Sequence, residues 1–313
     1  MLKVSIERFS YEENEILKNV SFSLQKGEHL AVLGESGCGK TTLLHLVYGL
    51  LHLENGSIFW GKKQLLGPHF NLIPGEPFMK LVAQEYNVMP FITVAENIAT
   101  HLSRRNMEAD KKRVHELLEV VEMEAFSEIM VKTLSGGQKQ RVALAKALAK
   151  EPEVLLLDEP FSNIDTFRKN ALRRKLFNYL KEKRIACITA THDAEEALAF
   201  ADKILMLKDG TVELYDRPKA VFGNLKTPYQ AGFFGEVSVL PKGVFSSEEI
   251  VVLPHQLGVS VTETPLRVTI KHSFFKGGFY LIEAFMNNGD TVFFHYKEAI
   301  EKGSKYYVKL VDR

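Results

Sequence analysis

A glycine-rich loop between an apolar run and a helix-forming segment constrains this chain more than any other feature. Residues 34–41 read GESGCGKT and match the pattern G-x-x-x-x-G-K-[ST]. The preceding run LAVL predicts a buried strand, and a helix is expected to start near Lys40. A strand, a glycine loop and a helix N-terminus in this order gather backbone N–H groups around an anion. The sequence therefore predicts a phosphate-binding loop in an α/β fold; a plain glycine-rich turn is the alternative.

The loop residues have predicted roles in binding ATP and Mg²⁺. We expect Lys40 to contact the β- and γ-phosphates, Thr41 to place its hydroxyl on Mg²⁺ and Thr42 to reach an α-phosphate oxygen. The predicted nucleotide-binding residues of this loop are Gly34, Glu35, Ser36, Gly37, Cys38, Gly39, Lys40, Thr41 and Thr42.

A second apolar run, VLLLDEP at 154–160, ends in two carboxylates. Ligands of open α/β sheets bind at the carboxyl ends of the strands, where Asp158 is expected. We expect Asp158 to hold Mg²⁺ through its water shell and Glu159 to polarise the attacking water as general base. Taken alone, the string is explained equally well as an acidic turn. The phosphate loop upstream favours the catalytic interpretation.

The string LSGGQ at 134–138 combines a helix start with an anion site. Ser135 and Gln138 have the spacing of a capping box, which predicts a helix that runs to Lys150. A glycine-rich helix N-terminus also binds anions. Both interpretations hold together, because a capped helix end aimed at a γ-phosphate would complete the nucleotide cage.

Composition excludes several other classes of protein. The chain has 313 residues, 45% of them hydrophobic and 25% charged, which is typical of a globular protein. The net charge of +1 is not the strongly basic balance that is typical of nucleic-acid-binding proteins, so no nucleic-acid partner is predicted. The first residues do not have the pattern of a secretory signal. Since no apolar stretch approaches the 20 or so residues needed to span a bilayer, another chain would have to cross a membrane.

The chain is predicted to form two domains with different periodicities. Residues 1–234 alternate apolar runs with helical patterns, and residues 235–313 show the period of two that is typical of strands. The dipeptide Asn288-Gly289 predicts a hairpin turn, and a short helix is expected near Lys297–Ile300. The tail is therefore predicted to be a small, mostly antiparallel β domain.

The phosphate loop, LSGGQ, VLLLDEP and THD occur in the order found in ABC-type ATPases, and the resemblance covers roughly the first three-quarters of the chain. It implies a P-loop NTPase fold with a mixed sheet and a helical subdomain. In that family two nucleotide-binding domains meet head to tail, and each ATP lies between one phosphate loop and the other subunit's LSGGQ. A homodimer is thus implied. The residues that would contact the partner's nucleotide are Ser135, Gly136, Gly137 and Gln138.

Single positions extend this resemblance. Gln84 resembles the glutamine that senses Mg²⁺ and the attacking water, and His192 resembles the histidine that contacts the γ-phosphate. Asp165 resembles the residue that links the conformations of the two subunits across the dimer. Tyr11 resembles the aromatic residue that stacks on adenine, with Phe9 as its rival.

The resemblance implies an importer whose ATPase is a separate chain. Integral membrane permease subunits and a solute-binding protein are the implied partners, and the implied location is peripheral, on the cytoplasmic face of the inner membrane. Val88, Met89 and Phe91 are candidate permease contacts. The tail resembles the small OB-like domain called TOBE, although LPH replaces Arg-Pro-Glu at 253–255; a dimerising or stabilising appendage is the other interpretation. A soluble ABC ATPase is the alternative to a transporter subunit.

Overall fold

The computed structural model describes residues 1–103 and 105–311, with the side chain of Thr166 outside the description. The chain separates into two compact units, Met1–Val221 and Phe222–Arg313. Among the described residues, no helix has both the length and the apolar character needed to cross a bilayer.

The first unit contains two sheets and most of the helices. Its strands are β1 (Leu2–Tyr11), β2 (Asn14–Leu24), β3 (His29–Leu33), β4 (Asn55–Trp60), β5 (Lys63–Gln64), β6 (Met79–Val82), β7 (Val154–Asp158), β8 (Ala186–Thr191), β9 (Lys203–Lys208) and β10 (Thr211–Asp216). Its helices are α1 (Lys40–Tyr48), α2 (Val94–Ala99), α3 (Met107–Val120), α4 (Gly136–Leu148), α5 (Thr166–Glu182) and α6 (Ala194–Phe200), and α7 (Pro218–Gly223) crosses the boundary between the units.

The larger sheet has the strand order β10-β9-β3-β8-β7-β6, and all its neighbours are parallel except β10, which is antiparallel to β9. Every residue of β3, β7 and β8 is buried, as expected for strands covered on both faces. Leu33 pairs with Thr191, and Asp158 pairs with Ala190. The phosphate loop, Asp158 and the residue after β8 therefore lie at the same edge of the sheet.

Two apolar cores support this edge. One joins α1 and the central strands to the antiparallel sheet β2-β1-β4-β5. The other packs α2, α3, α4 and α5 over β7. The apolar face of α3 lies in this second core, where Val114, Leu117 and Leu118 are buried together with the C-cap residue Val121.

The second unit is a small β structure with its own core. It contains α8 (Pro228–Gly232), β11 (Ser238–Leu240), β12 (Ile250–Val252), β13 (Leu257–Ser260), β14 (Leu266–Phe275), β15 (Tyr280–Met286), β16 (Thr291–Tyr296) and β17 (Lys305–Leu310). The antiparallel order β13-β17-β14-β15-β16 confirms the predicted all-β tail. The predicted turn joins β15 to β16, with Gly289 at φ 91°.

The predicted helix near Lys297–Ile300 is wrong, because residues 297–300 form bends and irregular chain. Ser273 accounts for the difference. Its hydroxyl donates to the Ile300 carbonyl at 2.9 Å and accepts from the Ile300 N–H at 3.0 Å. Both backbone groups of Ile300 are thus bonded to a distant strand, and the Ile300 side chain enters the core of the second unit.

The two compact units divide at Val221, whereas the sequence pattern predicts a domain boundary at 234. Phe222 makes an edge-to-face contact with Phe234 at 5.4 Å and stacks on His255 at 5.5 Å. Both ring contacts of Phe222 are therefore made within the second unit.

Candidate active site

The phosphate loop depends on glycines at three positions. Gly37 and Gly39 have φ of 85° and 103°, which side chains rarely tolerate. A Cβ on Gly39 would lie 2.7 Å from Leu17, and a Cβ on Gly34 would lie 2.7 Å from the carbonyl oxygen of Leu207. The loop is therefore a tight turn built against its neighbours, and α1 begins directly after it at Lys40.

Lys40 is held against the backbone of its own loop. Its ammonium group donates to the carbonyl oxygens of Gly34 and Glu35, both at 2.8 Å, and the residue is buried. Two neutral carbonyls do not neutralise this charge, so the loop presents a buried cation at a helix N-terminus. That combination suits a phosphate group.

Thr41 and Asp158 form the candidate magnesium position. The Thr41 hydroxyl donates to Asp158 Oδ2 at 2.8 Å, while Asp158 Oδ1 is buried and has no hydrogen-bond partner among the described residues. Burial raises the pKa of Asp158, and the hydrogen bond from Thr41 opposes this shift. A buried carboxylate with an unused oxygen fits a hard cation such as Mg²⁺, which takes few protein ligands and completes its shell with water and phosphate oxygens. The described residues contain no group of three or more His, Cys, Asp or Glu side chains that would form a full protein cage.

Glu159 and His192 meet beside this position. Glu159 Oε1 lies 3.2 Å from His192 Nδ1, and the imidazole is 64% exposed. Glu159 has φ 48°, an unusual conformation for a non-glycine residue. Its N–H donates to the Ala190 carbonyl at 3.0 Å. The carboxylate is thereby turned out of the strand β7, at the edge where a water molecule can reach it.

The capping box predicted at the start of α4 is confirmed. The Ser135 N–H donates to Gln138 Oε1 at 2.8 Å, and the Gln138 N–H donates to Ser135 Oγ at 3.3 Å. A Cβ on Gly136 would meet nothing within 4 Å, whereas a Cβ on Gly137 would collide with the Asn163 carbonyl. The first turn of α4 is thus open on one side and closely packed on the other. It begins at Gly136 and ends at Leu148, two residues before the predicted end.

The remaining predicted residues lie around these groups. Gln84 is exposed, two residues after β6, whose neighbour β7 ends at Asp158. Asp165 is the N-cap residue of α5, but its side chain makes no cap hydrogen bond. Tyr11 is 44% exposed at the end of β1, whereas Phe9 packs against the core and touches Tyr11 edge to face at 5.1 Å.

Sequence reasoning missed two buried polar residues behind the site. Arg173 is 2% exposed and donates to Asp193 Oδ2 at 2.6 Å and to Glu196 Oε2 at 2.7 Å. Burial raises the pKa of Glu196 to about 7, against the opposing effect of Arg173. Gln140 donates to the Glu159 carbonyl. Neither Arg173 nor Gln140 belongs to a recognisable sequence motif. The packing of α5 and α4 brings them to the site.

Comparison with known proteins identifies the family of this chain. Residues 17–162 match the protein family described as ABC transporter. The chain is 38% identical over 251 residues to the spermidine/putrescine import ATP-binding protein PotA of Thermotoga maritima, covering 79% of this chain and 67% of that protein. It is 38% identical over 234 residues to the Fe(3+) ions import ATP-binding protein FbpC of Haemophilus influenzae, covering 74% and 66%. The sulfate/thiosulfate import ATP-binding protein cysA of Cucumis sativus is 39% identical over 236 residues, with coverage of 74% and 66%.

Solved structures show the same fold. The cbiO1 protein from Clostridium perfringens, part of the ABC transporter complex cbiONQ, has a TM-score of 0.62 at 28% identity and covers 71% of this chain and 90% of its own. The dimeric cassette MJ0796 bound to ADP and Pi has a TM-score of 0.60 at 28% identity and covers 70% and 99%.

The fold and the site together define an ATPase cassette of the ABC class. The chain belongs to the family of ABC transporter ATP-binding proteins, and it binds and hydrolyses ATP. It aligns with about two thirds of the length of its curated relatives, from 64% to 69%. The predicted family, fold class and use of ATP are confirmed.

Proposed function

We propose that this chain is the ATP-hydrolysing motor of an ABC importer and that two copies of it act on separate membrane permease subunits. One observation carries the catalytic part of this proposal. The Glu159 carboxylate, bonded to His192, lies at the sheet edge where the phosphate loop and the Thr41–Asp158 pair meet. A base, a cation position and a phosphate cradle at one edge are the parts that phosphoryl transfer to water needs.

The residues act on a bound ATP in complementary ways. Lys40 and the N-terminus of α1 hold the β- and γ-phosphates. Thr41 and Asp158 would hold Mg²⁺, whose charge would offset the negative charge of the phosphates. Glu159 orients the attacking water and accepts its proton, His192 contacts the γ-phosphate, and Gln84 senses the attacking water. Tyr11 stacks on the adenine.

The second half of each ATP site comes from a second copy of the chain. The open side of the first turn of α4, at Ser135 and Gly136, exposes a capped helix N-terminus. In the proposed dimer this end closes on the γ-phosphate held by the partner, and Asp165 contacts the partner across the interface. The dimeric MJ0796 structures support this arrangement.

The permease is proposed to dock on the helical part of the first unit. Met89 is 41% and Phe91 75% exposed, and Val88 lies beside them. An apolar groove of about 670 Å³ between α2 and α3 is lined by Ala99, Met107, Val114 and other residues. A short helix of a permease fits a groove of this kind. The chain would thus lie on the cytoplasmic face of the inner membrane, with a solute-binding protein delivering the solute on the other side.

The names of these relatives agree on import, but they differ in the solute. Their names specify spermidine or putrescine, ferric ions, and sulfate or thiosulfate. The polyamines and ferric ions are cations and sulfate is an anion, so these names indicate no common solute. The proposal therefore concerns the direction and the energy source of transport.

Glu159→Gln tests the proposed catalytic cycle. The variant should bind Mg-ATP, lose about 10²–10⁴-fold in turnover because the base is gone, and accumulate as an ATP-bound dimer. Glu195→Gln on α6 is the matched control, since it removes a nearby exposed carboxylate, and it should turn over like the wild type. Turnover is measured by phosphate release and the dimer by light scattering. Wild-type turnover in Glu159→Gln would refute the role of the base, and stable activity with soluble partners alone would refute the transporter assignment.

A further inference from the structure

A buried amide connects α4 to the backbone of Glu159. Gln140 is 2% exposed and begins the stretch of α4, Gln140 to Ala145, in which every residue is buried. Its Nε2 donates to the Glu159 carbonyl at 2.9 Å, and its Oε1 accepts from the Asn163 N–H at a longer 3.4 Å. Both ends of the side chain are therefore bonded to the segment that carries the base.

The backbone of Glu159 needs such support. A non-glycine residue at φ 48° persists where its surroundings fix it, and residues of this kind cluster at active sites. The Glu159 carbonyl also accepts from the hydroxyl of Ser162 at 3.1 Å and from the Ser162 N–H at 3.3 Å. These two donors are local and move with the turn itself. Gln140 donates to the same carbonyl from a different element, the helix α4.

The element that supplies Gln140 is the same helix whose first turn faces the partner's nucleotide. Gly137 packs against the Asn163 carbonyl, so close that a Cβ would collide with it. The N-terminus of α4 and the segment from Glu159 to Asn163 therefore touch at two places, the Gly137 backbone and the Gln140 amide. A displacement of α4 changes the position of the Glu159 carbonyl through these contacts.

We propose that Gln140 is a positioning residue which holds the catalytic base Glu159 in place from α4. The inference rests on the proposed role of Glu159. The side-chain hydrogen bonds of Gln140 run to Glu159 and Asn163, which lie outside the phosphate loop. Its effect falls on the chemical step, because a misplaced base slows proton transfer while the grip on ATP through Lys40 and Thr41 remains.

Two variants separate hydrogen bonding from packing. Gln140→Met keeps the length and bulk of the side chain and removes both hydrogen bonds. Gln140→Glu keeps an acceptor for the Asn163 N–H and places an oxygen where the donor to Glu159 was. Both variants should lower kcat by about 10–100-fold and leave the KM for ATP within about twofold of the wild type, since the loss concerns the position of a reacting group. Leu144→Ala on the same helix is the control; it removes buried apolar contacts and should lower the thermal midpoint with wild-type kcat.

A double-mutant cycle distinguishes positioning from general damage. In Glu159→Gln, residual single-turnover hydrolysis should not fall further when Gln140→Met is added, because the group that Gln140 positions is already absent. A multiplicative loss in the double variant, or wild-type kcat in Gln140→Met, would overturn the inference. The proposed function is judged separately by hydrolysis in the wild type: if the wild type hydrolyses ATP and Gln140→Met does so equally well, the positioning role alone fails.

Discussion

Cys38 illustrates how a residue's surroundings alter the chemistry that its position indicates. It lies inside the phosphate loop, where a modified side chain would block ATP sterically. However, the thiol is buried, and a Cβ on Gly34 would collide with its sulfur. Burial raises the pKa of Cys38, and the charge of Lys40 opposes this shift. Since the thiolate is the reactive form, the native loop protects its own cysteine.

We therefore predict slow alkylation of Cys38 in the folded protein, faster reaction as the pH rises, and loss of ATP binding once the label is attached. The experiment uses Cys187→Ser, which leaves Cys38 as the one thiol of the chain. Labelling is followed by mass spectrometry and ATP binding by fluorescence. Rapid labelling at pH 7 would contradict the protected thiol, and undiminished ATP binding after confirmed labelling would contradict the steric argument.

At the scale of elements, His29 joins three parts of the first unit. Its Nδ1 lies 3.0 Å from the Phe200 carbonyl at the end of α6, and its Nε2 lies 2.9 Å from the Thr189 hydroxyl of β8. The carbonyl can only accept, so Nδ1 carries the proton and Nε2 accepts from Thr189. The ring also stacks on Phe177 of α5 at 4.3 Å. Burial lowers the pKa of His29 to about 4, so the ring stays neutral near pH 7.

This shift predicts a loss of stability in mild acid. The unfolded chain protonates His29 near pH 6.5 and the folded chain near pH 4. The stabilisation is fully present above pH 6.5 and disappears as the pH falls to about 4, amounting to about 3 kcal/mol for a shift of this size. His29→Gln should flatten the dependence of the unfolding free energy on pH in this window, measured by urea titration. An equally steep slope in His29→Gln would refute the assignment.

The elements differ in how far the sequence alone predicts them. Strands β3, β7 and β8 and the loop between β3 and α1 follow from local patterns, because apolar runs and glycine spacing act within a few residues. The positions of Asp158 and His192 at one edge follow from the parallel sheet. Gln140 could not be predicted, since its partners Glu159 and Asn163 meet it only through the packing of α4. The helix predicted near 297–300 is wrong for the same reason. The backbone of Ile300 is bonded by Ser273, which is remote in the sequence.

At the scale of the whole molecule, the apolar cores follow the division of the chain. Two clusters of buried residues lie within Met1–Val221, and the third lies between Leu240 and Val308. Every residue assigned to the ATP site, from Tyr11 to His192, belongs to the first unit. Each unit thus has a core of its own, which is the property expected of a domain. We propose these units as the functional domains, with nucleotide chemistry confined to the first and the TOBE-like tail forming the second.

This division predicts that residues 1–221 fold and bind Mg-ATP without the tail, with an affinity close to that of the whole chain. The reason is that the phosphate loop, the Thr41–Asp158 pair and the Glu159–His192 pair make their contacts inside the first unit.

A longer fragment, 1–234, is the informative comparison, because it retains Phe222 and Phe234 but lacks His255, on which Phe222 stacks. It should bind ATP equally well and associate more readily through these uncovered rings, as measured by light scattering. Circular dichroism establishes folding and calorimetry measures the affinity. A folded 1–221 fragment that fails to bind ATP would show that the tail completes the site. If 1–221 aggregates while 1–234 stays monodisperse, the boundary lies after Phe234, where the sequence pattern predicts it.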